Sequence, residues 1–230
     1  MNAMTRRLTT LAIAAALAAL PGLASAQAAA PAPAATAPAA SASKLVLDNS
    51  TRVLTTLEKR RAEFTADRGK LQTFITGEFT QMFDREYAAR QVLGRHGRGA
   101  ADGDVRVFAD ALADNLMRRY GASLLDFNTQ LRVRVKSETP LPRGLGVKVA
   151  TEMLRQGGEP IPVDYLLRQQ GGTWKVFDVM VEGISYVQAF KNQFAAALNQ
   201  KSIREVTADL RAGHLNAGNG KGGNGKGGSR

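Results

Sequence analysis

The 230-residue sequence contains no cysteine and only two histidines. Without thiols the chain forms no disulfide, offers no thiolate ligand to a metal and has no thiol nucleophile. It also lacks the cysteine that lipid attachment after export would require. The histidines, His96 and His214, have no acid or second histidine at ligand spacing, so we expect neither a metal site nor a bound cofactor.

Motifs for catalysis are missing as well. The glycine pairs stand between predicted strands rather than ahead of a helix, so none forms a phosphate-binding loop. Two acids nevertheless fall inside apolar runs, Asp178 in VFDVMV and Asp164 in PVDYLL. A carboxylate in such a place can be a general base, but more often it lies on the outer face of a sheet or pairs with an arginine. We therefore expect no catalytic residue.

The N-terminus has the pattern of a secretory signal peptide over residues 1–26. Two arginines precede an apolar run over residues 11–20, and Ala24-Ser25-Ala26 matches the small-residue cleavage rule. The run is too short for a membrane span, which needs about 20 apolar residues. We expect cleavage before Gln27 and a location in the bacterial periplasm.

Both ends of the remaining chain are of low complexity. Residues 27–43 are rich in alanine and proline, which is typical of a linker. Residues 214–230 repeat NGKGG and are rich in glycine and lysine, so we expect a disordered tail. The foldable part is residues 44–213, which is one domain by length.

Positive charge is in excess. The formal net charge is +11, and loss of the signal peptide with its two arginines and no acid would leave +9. Such a balance favours an anionic partner. Export argues against nucleic acid and favours phospholipid head groups, with plain solubility as an equally weighted explanation. The alternative is an electrostatic binder of nucleic acid or another anionic polymer that uses Arg132, Arg134, Lys136 and the C-terminal tail.

The first half of the chain has helical periodicity. Apolar residues at three- and four-residue steps predict one helix over residues 43–67. Asp67 is placed to cap a second helix, Gly94 to end a third, and Asp102 or Asp104 to cap a long fourth. The apolar face of this fourth helix consists of Val105, Phe108, Leu112, Leu116 and Leu124.

The second half changes to the two-residue period of strands. In QLRVRVKSE the apolar residues alternate with Arg132, Arg134 and Lys136, which predicts a half-buried strand with a charged outer face. LGVKVATEML, PIPVDYLLRQQ and TWKVFDVMV repeat the pattern, with short glycine turns. We predict an α+β fold in which helices pack on one face of a curved antiparallel sheet of about four strands.

Residues 174–194, WKVFDVMVEGISYVQAFKNQF, resemble the most specific segment of the MlaC family. This family comprises periplasmic phospholipid-binding proteins of the lipid-asymmetry pathway, also called toluene-tolerance auxiliary proteins. YAARQVLG is similar to the family's helix near its pocket. The matching residues in the longer segment are Trp174, Phe177-Asp178, Glu182-Gly183-Ile184-Ser185 and Gln193-Phe194.

The resemblance covers about residues 44–212 and implies a nuclear-transport-factor-like cone with an interior apolar cavity. It implies a diacyl phospholipid as cargo and a role in outer-membrane lipid asymmetry. It also implies two membrane partners, an inner-membrane ABC transporter with a ring-shaped lipid-binding subunit and an outer-membrane lipoprotein–porin complex. Two alternatives stay open: a carrier of another lipid such as a hopanoid, and a cavity enzyme that uses Asp178 or Asp164 with Tyr165 as a second polar group.

Candidate cavity residues follow from inward alternation in the strands and from the apolar faces of the flanking helices. We predict that the following residues bind lipid: Phe79, Phe83, Tyr87, Val133, Val149, Tyr165, Val179, Val187 and Phe190.

Overall fold

The computed structural model describes residues 41–120, 125 and 131–215, without the side chains of residues 119 and 120. The predicted signal peptide, the linker up to residue 40, Leu124 and the tail from residue 216 lie outside the described residues. The helices are α1 Ala42–Lys59, α2 Arg61–Ala66, α3 Arg68–Met82, α4 Arg85–Leu93, α5 Asp102–Tyr120, α6 Tyr186–Gln200 and α7 Ile203–Ala212. The strands are β1 Arg132–Pro140, β2 Val147–Leu154, β3 Ile161–Gln170, β4 Thr173–Val181 and β5 Ile184–Ser185.

The strands form one antiparallel sheet in sequence order, β1-β2-β3-β4-β5. The α+β prediction is confirmed, and its four strands are β1 to β4. The two-residue β5 is additional. It arises because Glu182 and Gly183, both with positive φ (51° and 81°), turn the chain back against the end of β4.

The predicted helix over residues 43–67 is divided in two. α1 ends at Lys59, and Arg60 leaves the helical region with φ −103° and ψ 18° before α2 begins. At its start, α1 is capped by the Ser41 hydroxyl, which accepts from the Lys44 N–H at 3.2 Å, and Ala42 is fully buried. The helix therefore begins two residues before the predicted start of the domain.

α1 packs on the inner face of the sheet. Val46 of α1 is fully buried in one apolar cluster with Val149, Leu167 and Val176 from three neighbouring strands. The start of α1 is held to β1 because the Ser43 hydroxyl donates to the Glu138 carboxylate at 2.6 Å. One helix thus covers the central strands and shapes the space beside them.

Helices α4 to α7 form a second layer around their own core, whereas Phe64 of α2 and Leu71 of α3 pack with Leu57 of α1 in a separate cluster. Phe108 of α5, Phe194 of α6 and Leu210 of α7 are fully buried in one cluster, and the rings of Phe108 and Phe194 meet edge to face at 6.0 Å. α7 lies against α5, where the Asn115 amide donates to the Leu210 carbonyl at 3.0 Å. No helix within the described ranges is long and apolar enough to cross a bilayer.

Candidate functional site

A large apolar chamber lies between α1, α3 and the inner face of the sheet. Its volume is about 490 Å³. The sheet contributes Met153, Tyr165 and Val179 to its lining. The polar lining groups come mainly from α1 and α3, and α2 contributes Arg61. The large chamber is lined by Asn49, Ser50, Val53, Leu54, Leu57, Glu58, Arg61, Ile75, Glu78, Phe79, Met82, Phe83, Leu131, Met153, Tyr165 and Val179.

A small chamber of about 310 Å³ lies between β4 and helices α4, α5 and α6. Alanines on α4 and α5 leave this space open, because a methyl side chain cannot fill the gap between facing elements. The small chamber is lined by Phe79, Phe83, Arg85, Ala88, Ala89, Val92, Ala109, Leu112, Ala113, Leu116, Phe177, Asp178, Val179, Val181, Tyr186, Val187 and Phe190.

Asp84 organises the elements where the two chambers meet. Its carboxylate caps α4 by accepting from the Tyr87 N–H at 3.1 Å, and it accepts from Arg168 of β3 at 2.6 Å. The Arg168 guanidinium lies over the Tyr87 ring, 4.3 Å from its centroid. The Tyr87 ring in turn meets Phe177 edge to face at 5.2 Å. Tyr87 therefore supports a lining residue from behind.

Asp178 holds the corner between the sheet and α6. Its carboxylate accepts from the Ser185 hydroxyl at 2.5 Å and from the Val187 N–H at 3.0 Å. The Ser185 hydroxyl also caps α6 by accepting from the Gln188 N–H at 3.0 Å. The expectation that Asp178 lies on the outer face or pairs with an arginine is wrong, because the carboxylate is buried and bonded to the helix start that follows it.

The acids and Tyr165 do not come together as a catalytic group. Tyr165 lines the large chamber, where its hydroxyl lies 3.4 Å from that of Ser50, and burial raises the pKa of Tyr165. Asp178 lines the small chamber instead. Asp164 lies 3.4 Å from the ammonium group of Lys148. The structure thus separates the polar groups that a cavity enzyme would need to bring together.

Six of the predicted lipid-binding residues lie on the chambers. Tyr165 lines the large chamber and Val187 and Phe190 line the small one, whereas Phe79, Phe83 and Val179 line both. Three others lie elsewhere. Val149 is fully buried in the core, Val133 pairs across the sheet with the lining residue Met153, and Tyr87 packs behind Phe177.

Two sets of lining residues are absent from the predicted lipid-binding residues. Val53, Leu54 and Leu57 lie on the apolar face of α1 and line the large chamber. Ala109 and Ala113 of α5 line the small chamber. Small residues on the inner faces of two consecutive helices are the signal that would have found them.

The predicted basic strip on β1 is present. Arg132, Arg134 and Lys136 are all exposed. Glu152 on β2 pairs with two of them, at 2.5 Å to Arg134 and 3.0 Å to Lys136, and these hydrogen bonds lower the pKa of Glu152. The strip therefore carries less excess charge than its sequence indicates. Over the described ranges, no cluster of histidines and acids could hold a metal ion.

Comparison with known proteins identifies the family. The family described as MlaC protein matches residues 47–212, which is well over half of the chain. The chain belongs to the MlaC family. The resemblance carried by residues 174–194 is thereby confirmed. In this MlaC-family chain, Asp178, Glu182, Gly183 and Ser185 of that segment build the corner at the start of α6, beside the small chamber.

Relatives of this MlaC-family chain have names that concern toluene tolerance and phospholipid. The toluene tolerance protein ttg2D of Pseudomonas putida is 25% identical over 159 residues, 68% of this chain and 72% of the relative. The intermembrane phospholipid transport system binding protein MlaC of Haemophilus influenzae is 19% identical over 162 residues, 69% of this chain and 75% of the relative.

A solved structure shows the same fold. The phospholipid-binding protein of Ralstonia solanacearum, solved in complex with a phospholipid, has a TM-score of 0.67 to this chain at 21% sequence identity. The match covers 75% of this chain and 96% of that protein.

Proposed function

We propose that this MlaC-family protein is a periplasmic carrier that binds a diacyl phospholipid in its two chambers. The observation that carries the proposal is the pair of apolar chambers between helices and sheet. The Haemophilus relative is named for intermembrane phospholipid transport, and the Ralstonia structure contains a phospholipid. Both support the same class of cargo.

The physical need for a carrier is large. A diacyl phospholipid in water exposes roughly 30 methylenes, and burying each is worth about 0.8 kcal/mol. The total, at most about 24 kcal/mol, makes unassisted movement through water slow. A protein that covers most of the hydrocarbon and later releases it needs apolar space and a route in and out, but no catalytic residue.

The predicted signal peptide and the family support a place between two membranes. We propose that the carrier exchanges lipid with an inner-membrane ABC transporter that has a ring-shaped lipid-binding subunit. At the outer membrane it would meet a lipoprotein–porin complex, so that the exchange maintains the lipid asymmetry of that membrane. The exposed cations of β1 and the basic tail would favour approach to anionic lipid or to an acidic partner.

The cargo is tested by mass spectrometry. The protein is produced with its own signal peptide, purified from the periplasm without detergent, and extracted with organic solvent. We expect diacyl phospholipid in close to equimolar amount. A hopanoid in the extract would instead establish the alternative cargo, and an extract without lipid from a folded protein would contradict the carrier function.

A transfer assay tests the activity itself. Vesicles that carry a self-quenched fluorescent phospholipid are mixed with unlabelled acceptor vesicles, with and without the purified protein. The protein should accelerate dequenching in proportion to its concentration. The same protein heated above its unfolding transition serves as the control, and equal rates in the two samples would contradict transport.

A further inference from the structure

Two aromatic rings belong to the linings of both the large and the small chamber. The rings of Phe79 and Phe83 stack with their centroids 3.9 Å apart and their planes 17° apart. Phe79, Phe83 and Val179 of β4 are the residues that the two linings share. The chambers therefore adjoin at these three residues, which we call the wall.

The wall is fixed by the backbone. Phe83 follows the last residue of α3 in an extended conformation and bridges to Val176 of β4. The Asp84 N–H donates to the Val176 carbonyl at 2.8 Å, directly after the ring that closes the wall. Phe79 lies one turn earlier, and its carbonyl accepts from the Phe83 N–H at 2.9 Å. Neither ring is carried by a free loop.

Both chambers are large enough to hold hydrocarbon. Their volumes, about 490 Å³ and about 310 Å³, are far above the roughly 10–15 Å³ that a single water needs. Each chamber therefore has room for at least part of an acyl chain, and the large chamber has room for the longer part.

The polar groups differ between the chambers. In the small chamber the Asp178 carboxylate is bonded to Ser185 and Val187, and Arg85 pairs with Asp110 while its buried Nε has no hydrogen-bond partner among the described residues. The large chamber has several polar lining groups on α1 to α3, among them Glu58 and Glu78. Polar lining groups are therefore more numerous around the large chamber, where Glu78 is paired with Arg52 at 2.5 Å.

We propose that the Phe79–Phe83 pair is a partition that separates the two acyl chains of one bound phospholipid, with one chain in each chamber. This inference rests on the proposed carrier function. A flexible lipid with two chains can straddle the partition, whereas a rigid polycyclic lipid cannot divide around it. The ring pair is therefore a specificity-determining element that favours two-chain lipids.

Filling the small chamber tests where the second chain lies. Ala113→Phe places a ring in that chamber from α5, and Ala196→Phe makes the same change at an exposed position of α6 as the matched control. Delipidated protein is offered an equimolar mixture of a diacyl phospholipid and the lysophospholipid with the same head group, and the bound lipid is identified by native mass spectrometry.

Ala113→Phe should lower the ratio of diacyl to single-chain lipid by about tenfold or more, because one chain loses its apolar site. Ala196→Phe should match the unaltered protein. If Ala113→Phe does not fold, Ala88→Leu fills the same chamber from α4 with a smaller side chain. An unchanged ratio in a folded chamber variant would overturn the assignment of the second chain.

Removing one ring tests the partition itself. Phe79→Ala should join the chambers and raise the affinity for a rigid sterol probe, cholesteryl hemisuccinate, by about tenfold, because a continuous cavity admits a fused ring system. Unchanged sterol affinity would show that the rings do not divide the space. Failure of the unaltered protein to bind either phospholipid would instead count against the proposed function, so the two failures are distinguishable.

Discussion

Asp84 and Arg168 form the ion pair that joins the start of α4 to the sheet, with a carboxylate oxygen 2.6 Å from a guanidinium nitrogen. The Asp84 side chain is 3% exposed and that of Arg168 is 33% exposed. Asp84 also caps α4 through the Tyr87 N–H. A single acid therefore serves as helix cap and as ion-pair partner at the edge of the wall between the chambers.

Neutralising this acid should destabilise the fold in a graded way. Removing one partner of a buried ion pair lowers the free energy of unfolding by about 3–5 kcal/mol. Because Arg168 is partly exposed to water, we expect a smaller loss of about 2–3 kcal/mol for Asp84→Asn. Asp84→Ala should cost about 1 kcal/mol more, since it also removes the cap. Urea unfolding measures both. Asp48→Asn, in the exposed pair with Lys44, is the control and should cost under about 1 kcal/mol.

The bond between Asp178 and Ser185 should be structural. Asp178→Ala leaves the partly buried Val187 N–H and the Ser185 hydroxyl without their acceptor, which should lower the free energy of unfolding by about 1–3 kcal/mol. Ser185→Ala should cost less. The double variant should cost less than the sum of the two single changes, because the residues share one bond. Additive losses would show that the residues act independently.

Two tryptophan substitutions distinguish the core from the cavity. Val149 is fully buried against Leu167 and Val176, so Val149→Trp should overpack the core and destabilise the protein by about 1–3 kcal/mol. Val53 lines the large chamber, so Val53→Trp should leave the protein folded but displace bound phospholipid. Thermal unfolding and lipid analysis are measured on both. A Val149→Trp protein that keeps its stability but loses lipid would place Val149 in the cavity.

Glu205 should make part of the stability of α7 depend on pH. Hydrogen bonds from the Ser202 N–H and hydroxyl, each 2.7 Å, lower the pKa of Glu205 below its ordinary value of 4.5. The folded state favours the charged form of Glu205, so this side chain contributes to the free energy of unfolding. The contribution is complete above about pH 4.5 and is lost as the pH falls through the pKa of Glu205 in the folded state.

The melting temperature of Glu205→Gln should therefore lie below that of the unaltered protein at about pH 7 and approach it at about pH 3. Glu159→Gln, in an exposed turn, is the matched control and should show no such convergence. A difference that stays constant over this range would contradict a contribution from the charged form.

Charge reversal on β1 tests the basic strip. Changing Arg132, Arg134 and Lys136 to Glu should slow lipid exchange with anionic vesicles at low salt, because the exposed cations would no longer attract the surface, and high salt should remove the difference. The control variant changes three exposed cations outside β1 to Glu, and its net charge is therefore the same. These cations are Lys59, Arg98 and Arg211. Equal rates of lipid exchange in the two variants would contradict a role of the basic strip in membrane approach. Solubility would then be its role.

The elements of this protein could be predicted because their signals are local. Strand alternation such as that of Arg132 to Lys136 follows from the two-residue period of a pleated backbone, and the cap at Asp67 follows from the unsatisfied N–H groups at a helix start. The family resemblance lies in the single segment over residues 174–194. The α+β class and the family therefore followed from sequence alone.

The cavity was decided by tertiary structure, because empty space is a relationship between elements that are distant in the chain. Ala88 and Ala113 are ordinary helix formers until α4 and α5 face β4 across a gap that their methyl groups cannot fill. Val149 alternates inward like Tyr165, yet α1 covers Val149 completely while Tyr165 reaches the large chamber. Alternation specifies which face of a strand a residue occupies, and only the packing of the other elements on that face determines whether the residue meets a side chain or a space.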